Sequence, residues 1–348
     1  MKSFNTRVYN VSDFVEWDSS DLLELSPHFQ RRSVWSEKAK SYLIDTMIRG
    51  KPIPKLLLSQ NLKRSRNVRI VVDGQQRLRA ILEFISNQFK ISKAHNKDFA
   101  GKTFSTLDKE IQNDFLKYEI GVDILFDSEY EDLLDIFARL NTYSVKLNKQ
   151  ELLNAQYLGY FKQSAYRLGF KYVRYLIDAG VLTTKQVTRM GEAELTSDIL
   201  VAIIEGIQTN KNIEAYYKKY EDEQGDLEIA EKRYNNVMSY IGELYPPETL
   251  RNTNYTRIHL FYSLFCSIAH ALYGIKNMKE VERPALTKHN IGTARIRLDE
   301  ISVFYDEDVP PSKYVKFVDY SRRATTDTAR RLYRSTFLCK EINNAIKK

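Results

Sequence analysis

Two cysteines, Cys266 and Cys339, are all that the 348 residues contain. Two thiols build no disulfide framework, and their spacing fits no zinc motif, so a reducing, cytoplasmic setting is expected. Proline and glycine are also few, eight and thirteen, which argues against long disordered linkers. No apolar run approaches the roughly 18 residues needed to cross a bilayer; the run Ile199 to Ile204 is stopped by Glu205. The opening Met-Lys-Ser-Phe-Asn-Thr-Arg lacks the apolar core of a signal peptide. There is no Walker A motif, no Gly-x-Ser-x-Gly elbow and no His-Glu-x-x-His. The five histidines (His28, His95, His259, His270 and His289) show no zinc-ligand spacing and no HNH pattern.

What is present suits a globular protein: 43% hydrophobic and 28% charged residues, with length for two ordinary domains. Net charge is +8 and the sequence pI about 9.1. The charge is uneven. From Pro311 to Lys348, ten Lys or Arg stand against Asp319, Asp327 and Glu341. A basic stripe of this kind suits a polyanion, most simply DNA, although a solvated helix face is the commoner cause. Arg330, Arg331 and Arg334 lie within about one helical turn, so at least two are expected to share a nucleic-acid-binding face.

The chain is organised around Arg69 to Phe84. Arg69 to Val72 is a β-branched run and reads as a buried strand. Asp73-Gly74 breaks it, and apolar residues at Leu78, Ile81, Leu82 and Ile85 then keep helical spacing. Strand, glycine turn and helix start together aim backbone N–H groups and a helix dipole at one point, an anion site. Gly74 permits close approach, and the Arg77 fork suits phosphate. A plainer reading makes Asp73 an N-cap and Gln76 its capping-box partner.

Asp73-Gly-Gln-Gln-Arg77 resembles the DGQQR motif of the N-terminal domain of GmrSD-type, modification-dependent restriction enzymes. The wider fold resembles the ParB/sulfiredoxin superfamily, whose Gly-x-x-Arg-x-x-Ala box matches Gly74, Arg77 and Ala80. Three more stretches match in order: Phe29 to Trp35, Leu43 to Pro54, and Ile136 to Asn141 followed by Leu147 to Leu152. Ser33 departs from a usual aromatic, and Tyr143-Ser144 from usual glycines. The likeness spans roughly residues 5 to 155. Many relatives carry an HNH-type domain after the helical part, and this chain reads as a standalone member without it.

The resemblance implies an NTP site at Gly74 and Arg77, with Gln30 and Arg31 from one loop and Arg139 and Asn141 from the far wall. Catalytic roles then fall to Asp73, Gln75, Gln76 and Arg77. Asp73 is the metal-side carboxylate if Mg²⁺ is used, and Gln75 or Gln76 would orient water. The expected partners are DNA, including modified phage DNA, and a separate nuclease subunit; a homo-oligomer is compatible, and no membrane is expected.

Coarsely, the first half reads strand, helix, strand, helix, then strand–strand–helix, so it is not a doubly wound sheet. Expected helix starts are Ser12, Ser36, Ser105 and Ser128. Asn148 and Glu151 form a capping box that opens an all-helical second half. Tyr172, Tyr175, Tyr216, Tyr217 and Tyr220 lie among lysines, as base-stacking residues or, more commonly, half-buried helix faces. The expectation is therefore an α+β protein: a ParB/sulfiredoxin-like domain over 1–147 and a helical domain over 148–348. The expected function is a nucleotide-binding, NTP-hydrolysing module of a type IV restriction or phage-defence system. The alternatives are a DNA-binding or nicking protein whose DGQQR site holds DNA phosphate, and a non-catalytic adaptor.

Overall fold

The computed structural model describes residues 4–25, 35–63, 66–126, 148–287 and 289–347. The chain divides into two compact units, Met1–Lys146 and Leu147–Lys348. The first is a mixed α/β unit. Its elements are β1 (Phe4–Asn10), α1 (Val11–Ser19), β2 (Leu23–Glu24), α2 (Glu37–Ile48), β3 (Leu56–Lys63), β4 (Arg66–Asp73), α3 (Gln75–Ile85), α4 (Lys109–Leu116) and β5 (Glu119–Phe126). The helix expected from Ser128 lies outside the described residues.

The sheet order is β1-β5-β3-β4-β2. β1 runs antiparallel to β5, with Phe4 opposite Leu125. β5 is parallel to β3, β3 antiparallel to β4, and β2 parallel to β4. Alternation along the strands sorts the side chains. Leu56, Leu58, Val71, Ile120, Val122 and Ile124 join the main core with Phe14, Ile44, Leu78, Ile81 and Phe84 from the helices. Val72 and Leu125 pack with Leu57 in a separate cluster. The helix α3 is amphipathic, and its buried stripe Leu78, Ile81, Leu82 is the one the spacing predicts.

Several boundaries differ from the expected ones. Polar Gln60 and Asn61 lie in β3, where they pair with Arg69 and Val68 of β4. Ladder bonds are made by backbone, so cross-strand pairing overrides the polar composition. α1 is capped by Asn10 rather than Ser12, since the Asp13 carboxylate accepts from Asn10 N–H at 2.8 Å. α4 starts at Asp108 after a short 3₁₀ turn at Phe104–Thr106. Ser36 does cap α2, its hydroxyl accepting from Ala39 N–H at 3.3 Å.

In the second unit every regular element among the described residues is a helix. The longer ones are α5 (Lys149–Gln156), α6 (Tyr160–Asp178), α7 (Gly191–Glu205), α8 (Ile213–Lys219), α9 (Leu227–Leu244), α10 (Ile258–Tyr273), α11 (Ile291–Val303), α12 (Val315–Arg322) and α13 (Thr328–Ile346). The protein is thus α+β. The capping box at α5 is formed: Asn148 Oδ1 accepts from Glu151 N–H at 2.8 Å, and Glu151 Oε2 from Asn148 N–H at 2.7 Å. α6 is one continuous helix of 19 residues. Gly169 lies inside it because a Cβ there would press on the Glu192 backbone of α7. α10 is buried on nearly all sides, with Leu260 through Ala271 in the core, as suits the centre of a bundle. No described helix is long and apolar enough to cross a membrane.

α10 also carries His259 and His270. Burial first, then Arg334 and Arg257, pushes His259 down from 6.5 to about 4. The unfolded chain therefore takes up a proton between those values that the fold refuses. His259 contributes stability in full above pH 6.5, and that contribution is lost as pH falls toward 4, on the order of 2–3 kcal/mol. His259→Gln should flatten the fall in melting temperature over this window; an unchanged pH profile would show that other groups govern it.

Candidate functional site: the DGQQR turn

β4 delivers Asp73 at the end of the strand, and Gly74 turns the chain into α3 with φ +88° and ψ 12°. That left-handed conformation favours glycine. Gly74 itself is the N-cap and makes no side-chain cap bond, so the Asp73–Gln76 capping box is not formed. The reason is that Arg77 takes the carboxylate. Arg77 Nη2 donates to Asp73 Oδ2 at 2.8 Å. Its Nη1 donates to the carbonyl of Lys55 at 3.1 Å and to that of Pro54. One guanidinium thus ties the end of β4 to the extended segment before β3. The Arg77 side chain is 14% exposed and that of Asp73 50%. Burial pulls Arg77 below its ordinary value, against the opposing effect of Asp73.

Gln75 is buried, and Gln76 Oε1 accepts from Trp35 N–H at 3.5 Å. Trp35 closes the Phe29–Trp35 segment. Trp35, far from the DGQQR motif in sequence, is thereby brought to its turn. Sequence reasoning missed the Pro54 and Lys55 carbonyls as partners, since nothing local links them to Arg77.

The family described as GmrSD restriction endonuclease, N-terminal domain, matches residues 13–158. Those residues form a GmrSD N-terminal domain. None of the curated proteins compared with the chain matches it. The GmrSD match begins in α1, contains the DGQQR turn and runs through α5. Gln30, Arg31, Arg139 and Asn141 fall inside the matched span but outside the described residues. In this GmrSD domain Asp73, Gly74, Gln75, Gln76 and Arg77 lie on one turn, and no group of three His, Cys, Asp or Glu able to hold a metal occurs among the described residues. Asp73, expected as the carboxylate on the Mg²⁺ side, is half exposed and pairs with Arg77.

The basic helix requires a correction. Arg331 is 5% exposed and Arg334 fully buried. Arg331 forms a two-pronged pair with Asp198, both contacts at 2.8 Å, and donates to Gln208 O at 3.0 Å. Arg334 donates to Ser263 Oγ, Tyr320 O and Thr325 O at 3.0, 2.7 and 2.8 Å. Arg330 is partly exposed, but it donates to Arg323 O at 3.0 Å and lies over the Tyr320 ring. These arginines hold the bundle together instead of facing a phosphate backbone. The tyrosines follow the commoner of their two readings: Tyr172 and Tyr175 are half-buried, Tyr216, Tyr217 and Tyr220 are buried, and Tyr217 bonds Gln150 and Ser197.

Proposed function

We propose that this protein is a nucleotide-binding, NTP-hydrolysing component of a restriction or phage-defence system acting on DNA. The observation that carries the reading is the junction at Gln76, where the Trp35 end of one family motif meets the DGQQR turn of another. A nucleotide phosphate would lie at the α3 N-terminus, where backbone N–H groups and the dipole favour an anion. Asp73 would face the phosphate-bound Mg²⁺, and Gln75 or Gln76 would hold the attacking water. Mg²⁺, when bound, would supply charge neutralisation on the phosphates. Gln30 and Arg31, with Arg139 and Asn141, would complete the site. DNA is the expected target, with a nuclease subunit as partner.

Calorimetric titration of each NTP with Mg²⁺, with and without DNA, tests this directly. Binding with turnover is expected. Asp73→Asn should keep the fold and abolish Mg²⁺-dependent turnover. Arg77→Ala removes three internal bonds, so it should also melt earlier, by about 1–3 kcal/mol. Arg77→Lys should recover part of the nucleotide affinity by restoring a cation. Salt-sensitive DNA binding with no response to any NTP would instead favour DNA phosphate at the turn, and neither response would leave an adaptor.

A further inference from the structure

The strand β1 leaves one edge of the sheet open. Among the described residues it pairs with β5 alone, in an unbroken register from Phe4 opposite Leu125 to Asn10 opposite Glu119. Every residue from Phe4 to Val8 is exposed, whichever face it points to. Phe4 and Val8, both large and apolar, are 62% and 59% exposed. Folded proteins usually blunt such an edge with lysine, proline or a bulge. The stretch Phe-Asn-Thr-Arg-Val-Tyr-Asn has none of these, and Arg7 is its one charge.

The backbone bonds that β1 can still make follow from its pairing with β5. Val11 N–H donates to Tyr118 O at 3.0 Å, which makes these opposed residues a hydrogen-bonded pair. Hydrogen-bonded and non-hydrogen-bonded pairs alternate along an antiparallel ladder. Tyr9, Arg7 and Asn5 therefore turn their N–H and C=O groups toward β5, while Val8, Thr6 and Phe4 turn theirs to the open edge. The side chains of the latter three share one face. Tyr9 packs edge-on against Phe14 and Trp17 of α1, so by alternation Phe4, Thr6 and Val8 point away from that helix. Asp123 beside them is already taken: Thr6 Oγ1 donates to it, and Lys55 closes on it at 3.4 Å.

A second copy of the same strand fits this edge. Two antiparallel copies related by a two-fold axis through Thr6 place Phe4 opposite Val8 twice, Asn5 opposite Arg7 twice, and Thr6 opposite Thr6. Aromatic–β-branched and Thr–Thr pairs are favourable across strands. The hydrogen-bonded pairs of this arrangement are Thr6–Thr6 and Phe4–Val8, the residues whose backbone groups face the edge. An axis through Arg7 would oppose two arginines and set Phe4 against Asn10. An axis through Val8 would carry Phe4 past the end of the other strand. We propose that the protein self-associates through β1, as a two-fold dimer centred on Thr6 in which one sheet runs through both copies. A single strand pair buries less than a standard interface, so the dimer is weak and dissociates on dilution. The inference draws only on β1 and its neighbours in the sheet and does not rest on nucleotide binding at Asp73–Arg77.

Sedimentation velocity on the whole protein, from about 1 to 200 µM, should show a monomer passing to a dimer and no further. Phe4→Lys and Val8→Glu should each weaken the dimer about tenfold, since each alters two cross-strand pairs. Both should melt like wild type when dilute, because the residues they replace are exposed in the monomer. The double variant should regain the dimer, as each new cation then faces a new carboxylate of the other copy. Thr6→Cys should cross-link two copies under mild oxidation: opposed Cα atoms of a hydrogen-bonded pair stand about 5.5 Å apart, within disulfide reach. Cys266 and Cys339 are buried and do not compete. Arg7→Cys, offset from its own counterpart by two residues, should cross-link about tenfold more slowly or less. A monomer over the whole concentration range, growth past the dimer, or a dimer that survives Phe4→Lys would overturn the proposal. So would a double variant that stays monomeric, or equal cross-linking at positions 6 and 7.

Discussion

In urea, Arg331→Ala is expected to unfold the helical unit with a loss of about 3–5 kcal/mol, the cost of stranding one member of a buried ion pair. Asp198 would be the stranded group. Burial already raises its pKa, and the bonds from Arg331 are what oppose that rise. The Gln208 carbonyl would lose a donor as well. A second variant sharpens the test. Replacing both partners, Asp198→Leu with Arg331→Met, should recover much of the loss, since no charge is left behind. Circular dichroism melts of the single and double variants decide the matter. An Arg331→Ala protein that melts like wild type yet binds DNA more weakly would restore the arginine to a nucleic-acid face and overturn its internal role.

Gly74→Ala should be nearly as damaging, by about 2–5 kcal/mol. Part of this is backbone: alanine at φ +88° is strained. The larger part is collision, because a Cβ at Gly74 runs into Cδ2 of Leu56, itself 1% exposed. The same Cβ would lie 3.1 Å from Arg77 Nη2. The Arg77–Asp73 bond should therefore loosen along with the fold, and any nucleotide binding should fall. Thermal melting with a parallel nucleotide titration measures both. Adding Leu56→Val to make room should return some stability if collision dominates. A Gly74→Ala melt within about 0.5 kcal/mol of wild type, the scale of an ordinary surface change, would show that the turn is not as tight as described.

How much of this could be read from the sequence depended on the range of the interaction. The Asn148–Glu151 box and the Ser36 cap act over three residues, and both are formed. The α3 stripe is set by local spacing and was equally readable. Asp73 carried two local signals at once, a cap at Gln76 and a pair at Arg77, and propensity could not say which would form. In the fold the carboxylate goes to Arg77, and Gly74 takes the N-cap position. Arg331 and Arg334 failed for another reason. Charge density along a helix does not reveal which side faces inward, and their partners Asp198 and Ser263 are distant in the chain.

The pairing of β1 with β5 has a consequence for how the first unit is made. β1, the first described strand, finds its only neighbour among the described residues in β5, the last strand in sequence. Loop closure of that length is slow, and β contacts gain nothing until it is complete. During synthesis β1 must therefore leave the ribosome unpaired and wait for Glu119–Phe126. Its exposed Phe4 and Val8 make that interval the moment of greatest aggregation risk. Expression yield should accordingly respond more to polar changes at Phe4 and Val8 than the equilibrium stability of the finished protein does.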